Sequence, residues 1–278
     1  MLSVVIPTYN TASMTLRCVR AIQGADEVIV VDDGSTDDTV ALLSPEVRVV
    51  SLEKNSGFAV AANRGVAESR GDRILLLNSD AIVEPDALSA LMAAFEADPR
   101  LGVAGAQLLN EDGSRQWSGG LTPTLAWMIG VVSGAGGLAR LVPRRKSQMR
   151  VSVDWVSGAA MMFRREAWKP FDERYLFYCQ DIDFCLDARK AGWDVRIVDG
   201  ARVTHGLGRT VARGSIPHDP ARLWPDLLTW GRNYYGQTWA RRTRVVLIGI
   251  AALRIAWRKL RFRSAAPLVR GLTALRKT

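Results

Sequence analysis

Short runs of apolar, β-branched residues alternate with helix-like segments along the first 110 positions. Leu2–Ile6, Val28–Val31, Val47–Leu52, Ile74–Leu77 and Val103–Leu109 have the length and residue types of buried strands. Between them Thr15–Gln23, Thr36–Leu43, Phe58–Ser69 and Pro85–Ala97 fit helices, the last opened by a proline in its first turn. This alternation predicts an α/β domain whose mostly parallel sheet is covered on both faces. Beyond residue 110 the pattern loosens. Val151–Val156 and Ala160–Arg164 read as strands around Gly158, Asp181–Ala191 as a helix, and Val195–Val198 and Ala201–Thr204 as two short strands. Thr124–Ala139 is uncharged and glycine-rich, next to the basic cluster Arg144–Lys146. Pro217–Pro225 reads as loop, then Leu227–Gln237 and Arg241–Phe262 as helices. The predicted division is a domain over 1–215, with halves 1–110 and 111–215, and a helical basic extension over 216–278.

Ligands in such sheets bind beyond the carboxyl ends of the strands, and polar residues stand there. Asp32 and Asp33 follow the second apolar run, and Asp80 follows the fourth after Asn78 and Ser79. Asp32–Ser35 serves equally well as turn and cap chemistry. Asp80, in a short loop between two apolar runs, is well placed to hold a divalent cation. His205 ends an apolar strand and precedes Gly206 and Gly208, whereas His218 lies in a proline-rich loop. An aromatic-rich stretch, Phe171–Tyr178, leads into Asp181 and Asp183 at a helix start. Those acids either complement the helix dipole or include a general base. No GxGxxG follows the first strand and no GxxxxGK[ST] occurs, which argues against dinucleotide-binding and P-loop enzymes.

Charge changes the picture mainly at one end. The chain has 278 residues and a net charge of +9, yet residues 241–278 hold 11 basic residues and no acid. The preceding 240 residues carry 26 basic against 28 acidic residues. A protein basic throughout, such as a packaging protein, is excluded. Three cysteines without CxxC spacing argue against a disulfide framework or a zinc site. With no signal-peptide pattern at the first residues and no 18-residue apolar stretch, a cytoplasmic location is expected.

An ordered set of motifs resembles family 2 glycosyltransferases of the GT-A fold over roughly Ser3 to Arg209. It comprises Val4-Val5-Ile6-Pro7-Thr8-Tyr9-Asn10; Val31-Asp32-Asp33-Gly34-Ser35-Thr36-Asp37; Asn55-Ser56-Gly57-Phe58 with Asn63; Leu77-Asn78-Ser79-Asp80; Gly158-Ala159 with Met162 and Arg164; Phe171-Asp172-Glu173; Asp181-Ile182-Asp183; and His205. Within the family it is most similar to bacterial rhamnosyltransferase-like enzymes that build cell-surface polysaccharide. The resemblance implies a nucleoside pocket lined by Pro7, Thr8, Tyr9, Asp32 and Asp33, with Gly57 and Asn63 near the ribose and diphosphate. Asp80 matches the last acid of a DxD-type motif, here with a single carboxylate, and His205 a second ligand for Mn²⁺ or Mg²⁺. Asp181 matches the base of the family's ED motif, with Gln180 in place of the glutamate. Trp155, Gly158, Ala159, Gln180 and Asp183 fall on the acceptor and sugar side, although Trp155 also suits core packing. The implied activity is a metal-dependent, inverting transfer from a nucleotide-sugar, dTDP-rhamnose as the best guess, to a lipid-linked saccharide. A non-catalytic sugar-nucleotide-binding protein on the same fold is the alternative.

The tail completes the expectations. Val245–Leu253 is nine residues without charge, followed by Arg254, Arg258 and Arg261 on one helical face. As a helix, Val245–Trp257 spans roughly 20 Å, against ~30 Å for a bilayer core. The segment 241–263 is therefore expected to lie on an anionic membrane surface at the inner face of the cell membrane, with its arginines on lipid phosphates, rather than to bind nucleic acid; packing on the body or on another copy is the alternative.

Overall fold

Strand β1 (Leu2–Thr8) is fully buried and is the axis of the fold. In this computed structural model, which describes residues 1–43, 47–133, 151–206 and 219–277, it runs parallel to β2 (Glu27–Asp32) on one side and β4 (Arg73–Leu77) on the other. β3 (Arg48–Ser51) continues the parallel order beyond β2. Register aligns Thr8 with Asp32 and Asp32 with Ser51, so these strands end at one edge of the sheet.

Beyond β4 the sheet becomes mixed. β10 (Ala160–Arg164) is antiparallel to both β4 and β6 (Leu101–Leu109). β11 (Asp194–His205) is parallel to β6 and antiparallel to β5 (Ala81–Val83) and β8 (Val151–Ser152). Among the described residues the nine-stranded sheet thus holds four parallel and four antiparallel pairings, the parallel ones dominating the amino-terminal half. A small two-stranded sheet joins β7 (Gly119–Gly120) to β9 (Trp155–Val156).

Helices α1 (Ala12–Arg20) and α3 (Ala87–Ala97) share a core with one face of the sheet, where Val4, Ile6, Val30, Leu75 and Leu77 meet Cys18, Leu91 and Phe95. Helix α2 (Phe58–Glu68) lies against the strands so closely that a Cβ at Gly65 would sit 2.3 Å from Val5 Cγ1. α5 (Gln180–Lys190) completes this unit, which comprises residues 1–122, 147–173 and 180–209.

The second unit comprises residues 123–146, 174–179 and 210–278. It contains α4 (Leu125–Ser133), α6 (Pro220–Tyr235), α7 (Gln237–Leu260) and α8 (Ala266–Lys277). α6 packs on α7 and α8 through buried Trp224, Leu227, Leu228, Leu247, Leu268 and Leu275. No helix among the described residues is long and apolar enough to cross a membrane.

Several expected elements differ. Thr36–Leu43 forms turns, not a helix. The Asp37 carboxylate accepts hydrogen bonds from Thr39 N and Thr39 Oγ1 and, across the loop, from Ala12 N, which competes with helical hydrogen bonding. Val151–Val156 is two strands with different partners. Val195–Thr204 is one strand with a register shift between Val198 and Arg202. Pro220 opens α6, with the Asp219 carboxylate accepting from Ala221 N, and Pro225 lies inside that helix. The second unit takes in 174–179 and leaves 180–209 to the first, so its border is not a single cut near 215. Gly208, His218 and the Arg144–Lys146 cluster lie outside the described residues.

Candidate active site

Four chain segments converge at the carboxyl edge of the parallel strands. After β1, Thr8 is buried and its hydroxyl is hydrogen-bonded to Thr11 Oγ1 (2.6 Å) and Thr15 Oγ1 (2.7 Å). Thr11 Oγ1 also donates to Ser79 Oγ (3.2 Å), joining this turn to the loop after β4. Pro7 is likewise buried, and Tyr9, the residue after β1, is exposed.

Asp32 and Asp33 are both buried, with different partners. Asp32 Oδ2 accepts from Ser35 N at 3.2 Å, closing the turn at Gly34. That glycine has φ +72°, and a Cβ there would sit 2.7 Å from the Lys54 backbone. Asp33 accepts from Ser56 N (2.7 Å) and Gly57 N (2.8 Å), so its carboxylate holds the loop that leads into α2. Burial pushes the Asp33 carboxyl above its ordinary value against the pull of these two N–H groups. Gly57, at φ +98°, caps α2. Asn63 is engaged away from the strand ends: its Nδ2 donates to Phe171 O and Glu173 Oε1, and its Oδ1 accepts from Phe171 N. Asn63 thereby ties α2 to the Phe171–Glu173 segment.

Asp80 and His205 lie side by side. β5 and β11 pair Ala81 with His205, which brings His205 Nε2 to 3.3 Å from Asp80 Oδ1 and 3.2 Å from Asn78 Nδ2. Gly206 N donates to Asp80 O. On the other side of the ring, Nδ1 lies 3.2 Å from Gln116 Oε1. The Gln116 Nε2 group donates to the carbonyls of Leu109 and His205, which can only accept. Its Oε1 must therefore receive a proton from Nδ1, and the neutral imidazole carries its lone pair on Nε2, facing Asp80. Two cis ligands at ~2.1 Å from one cation lie ~3 Å apart, so the Asp80–His205 separation fits a shared divalent ion. No group of three or more His, Cys, Asp or Glu suitable for a metal occurs among the described residues. Such an ion would take its remaining ligands from water and substrate phosphates.

Asp181 stands at the start of α5, beside the same edge. Asn78 N donates to Ala159 O, and one residue earlier Gly158 N donates to Asp181 Oδ2 (3.0 Å). Asp181 Oδ1 accepts from Ile182 N. Burial raises its carboxyl above the ordinary value, the direction that strengthens a carboxylate as a base near neutral pH. Gln180 is buried beside it, and Asp183 sits half-buried one position beyond Ile182. Trp155 is buried, donates to Leu121 O and packs edge-on against Trp117 at 4.9 Å. Trp155 packs inside the fold, and Trp117 is the exposed ring of the pair.

The second unit holds a residue that the sequence reading passed over. Asp226, 1% exposed on α6, accepts from Leu176 N (2.8 Å), Phe177 N (2.9 Å) and Tyr178 N (2.7 Å). These are the residues that immediately precede Cys179, at φ +70°, and then Gln180 and Asp181. Asp226 was missed because it lies between Pro225 and Leu227, in and beside a stretch read as loop. The available signal was Asp219-Pro220, a cap followed by a first-turn proline.

Comparison with known proteins agrees with this architecture. The chain is 29% identical over 285 residues to an N-acetylglucosaminyl-diphospho-decaprenol L-rhamnosyltransferase of Mycobacterium tuberculosis, covering 91% of each protein. It is 29% identical over 258 residues to an N-acetylglucosaminyltransferase of Azorhizobium caulinodans, covering 84% of this chain and 60% of that one. Among solved structures, a mannosyltransferase of Pyrobaculum calidifontis in complex with GDP-Man and Mn²⁺ superposes with a TM-score of 0.58 at 17% identity, over 98% of this chain and 86% of that one. GalNAc-T7 with UDP, GalNAc and Mn²⁺ gives a TM-score of 0.60 at 17% identity, over 84% and 49%. The fold is that of the GT-A glycosyltransferases. The model of the family described as glycosyl transferase family 2 matches residues 3–170, more than half of the sequence, and the chain belongs to that family.

Proposed function

We propose that this protein transfers a sugar, with inversion, from a nucleotide-sugar to a hydroxyl of a lipid-linked saccharide at the inner face of the cell membrane. The observation that carries this reading is the placement of Asp80, His205 and Asp181 along one strand edge, linked through Asn78, Ala159 and Gly158. Tyr9 and Asp32 receive the nucleoside, Asp32 accepting from an imide N–H of the base. Asp33 shapes the pocket by holding Ser56 and Gly57, and Gly57 brings the amino end of α2 towards the diphosphate. Asp80 and His205 are the residues that would hold Mn²⁺ or Mg²⁺ beside the diphosphate. When bound there, the ion neutralises charge on the departing group.

Asp181 is the general base. It takes the proton from the acceptor hydroxyl as that oxygen bonds to the anomeric carbon and the bond to the diphosphate oxygen breaks. The backbone N–H of Gly158 fixes the orientation of its carboxylate. Gln180 and Asp183 flank it on the acceptor side, and Trp117 supplies an exposed ring on which a sugar can stack. The rhamnosyltransferase matched over 91% of each chain makes dTDP-rhamnose the first donor to try and a polyprenyl-diphospho-sugar the first acceptor. The basic tail is the part proposed to meet the membrane.

A panel of nucleotide-sugars scored by thermal shift with and without Mn²⁺ tests the reading. The expected result is stabilisation by one nucleoside class, dependent on metal and abolished in Asp80→Asn. No stabilisation by any nucleoside diphosphate overturns it.

A further inference from the structure

The orientation of α7 inverts what its sequence suggested. Of the three arginines expected to face outward, Arg254 and Arg258 are half-buried and turned into their own unit. Arg254 Nη1 donates to Val132 O of α4, and Arg258 Nε donates to Ser264 O just before α8. Arg244 likewise donates to Leu275 O in the last turn of α8. Each of these guanidinium groups satisfies a backbone carbonyl, and Leu275 O lies in the last turn of α8, where a cation is favoured. Only Arg261 points outward, stacked over the exposed ring of Trp257 at 4.4 Å.

The outer side of α7 is apolar. Val245 (72% exposed), Leu253 (74%), Trp257 (48%) and Leu260 (79%) recur with helical period, with exposed Val246, Gly249, Ala252 and Ala256 among them. Together they occupy an arc of roughly 140° along roughly 18 Å between Val245 and Trp257. No charged residue interrupts that arc, and Phe262 follows it fully exposed. The exposed charges stand at or near its two ends: Arg241 and Arg242 before it, Lys259 beside its last turn, Arg261 and Arg263 after it. No acidic residue occurs after Asp226.

From this arrangement we infer that α7 docks flat on an anionic lipid bilayer, its Val245–Leu260 stripe entering the acyl boundary and its two basic ends meeting lipid phosphates. The charge pattern decides between occupants. A second copy on the same face would oppose Arg241 and Arg242 to Lys259, Arg261 and Arg263 in an antiparallel pair, or like residues to like in a parallel one. An anionic surface complements both ends at once, and an apolar stripe with basic flanks is the form of an interfacial helix. The inference gives the membrane placement proposed above its contact face. It rests on the surface of α7 and not on the chemistry of the strand edge.

The test is flotation of the full chain with vesicles of phosphatidylcholine containing 30% phosphatidylglycerol, against phosphatidylcholine alone. The wild type should float with the anionic vesicles. L253E and W257E should each lower the bound fraction roughly tenfold or more, because each puts an acid inside the stripe. Arg261→Glu with Arg263→Glu should weaken binding and lower the salt sensitivity of what remains, because the screened attraction to lipid phosphates is removed. Melting temperature and metal-dependent donor hydrolysis should stay at wild-type values in L253E, so a failure of the glycosyl-transfer reading appears as absent hydrolysis in every protein and leaves the flotation result standing. Wild type that ignores anionic vesicles, or L253E that floats as well as wild type, overturns the inference. So does a dimeric wild type that L253E makes monomeric without loss of flotation.

Discussion

The strand edge of the first unit and the outer face of α7 in the second distribute polarity in opposite ways. At the edge, carboxylates are drawn inside and held: buried Asp33 by two backbone N–H groups, half-buried Asp181 by two, with His205 fixed between Gln116 and Asp80. On α7, large apolar groups are exposed while arginines turn inward to carbonyls. Burying a charge is costly unless it is hydrogen-bonded, and exposing an apolar stripe forgoes burial energy. Both depart from what folding alone favours, and both therefore mark places where the chain is adapted to something outside itself. The difference teaches what each meets: a small polar ligand in one case, an extended apolar surface in the other.

The comparison can be broken most decisively at Asp181. Asp181→Asn is expected to lower turnover by roughly 10²–10⁴-fold while leaving donor-induced thermal shift intact. It carries a pH signature as well. The folded carboxyl titrates above its ordinary value of 3.8, so between that value and the raised one the folded state binds more protons than the unfolded state. Stability then falls as pH rises through this window. The fall should be shallower in Asp181→Asn, read from denaturant midpoints across the acid range.

Next in size is a contrast within one helix. Leu247→Ala, on the buried side of α7, should cost about 2–5 kcal/mol in equilibrium unfolding. Asp226→Asn should cost about 1–3 kcal/mol, since an amide cannot accept all three N–H groups. It should also lower kcat, because those N–H groups belong to the residues that lead directly into Asp181. Gln116→Leu should weaken Mn²⁺ binding by roughly 10–100-fold, measured by electron paramagnetic resonance with nucleoside diphosphate present. The smallest effect is expected at Leu253→Ser, on the outer side of α7. It should change stability by no more than about 0.5 kcal/mol, and a larger loss would mean that the face is covered within the fold.

Legibility in the sequence followed the same division. β1, β2 and β4 could be read because each is an uninterrupted apolar run that stops at polar residues, and the strand-end rule then pointed to Asp32, Asp80 and His205. Asp181 could be read from acids at a helix start after an aromatic stretch. Gln116 could not, because a glutamine in a polar loop carries no periodic signal and its role arises from two carbonyls on other strands. Thr36–Leu43 misled because a single side chain, Asp37, reorganises its backbone. The facing of α7 was hidden because its apolar residues spread around most of the helix. Which arc is buried was decided by the packing of α4, α6 and α8, and that is a tertiary choice.

The hexapeptide 174–179 belongs to the second unit although the chain around it belongs to the first. Anyone exchanging the carboxyl-terminal helices with those of a relative would therefore have to splice at several points, carrying the hexapeptide along with Asp226. A simple fusion at residue 215 would part the three N–H donors from their acceptor, and the graft would inherit its helices without the loop they hold.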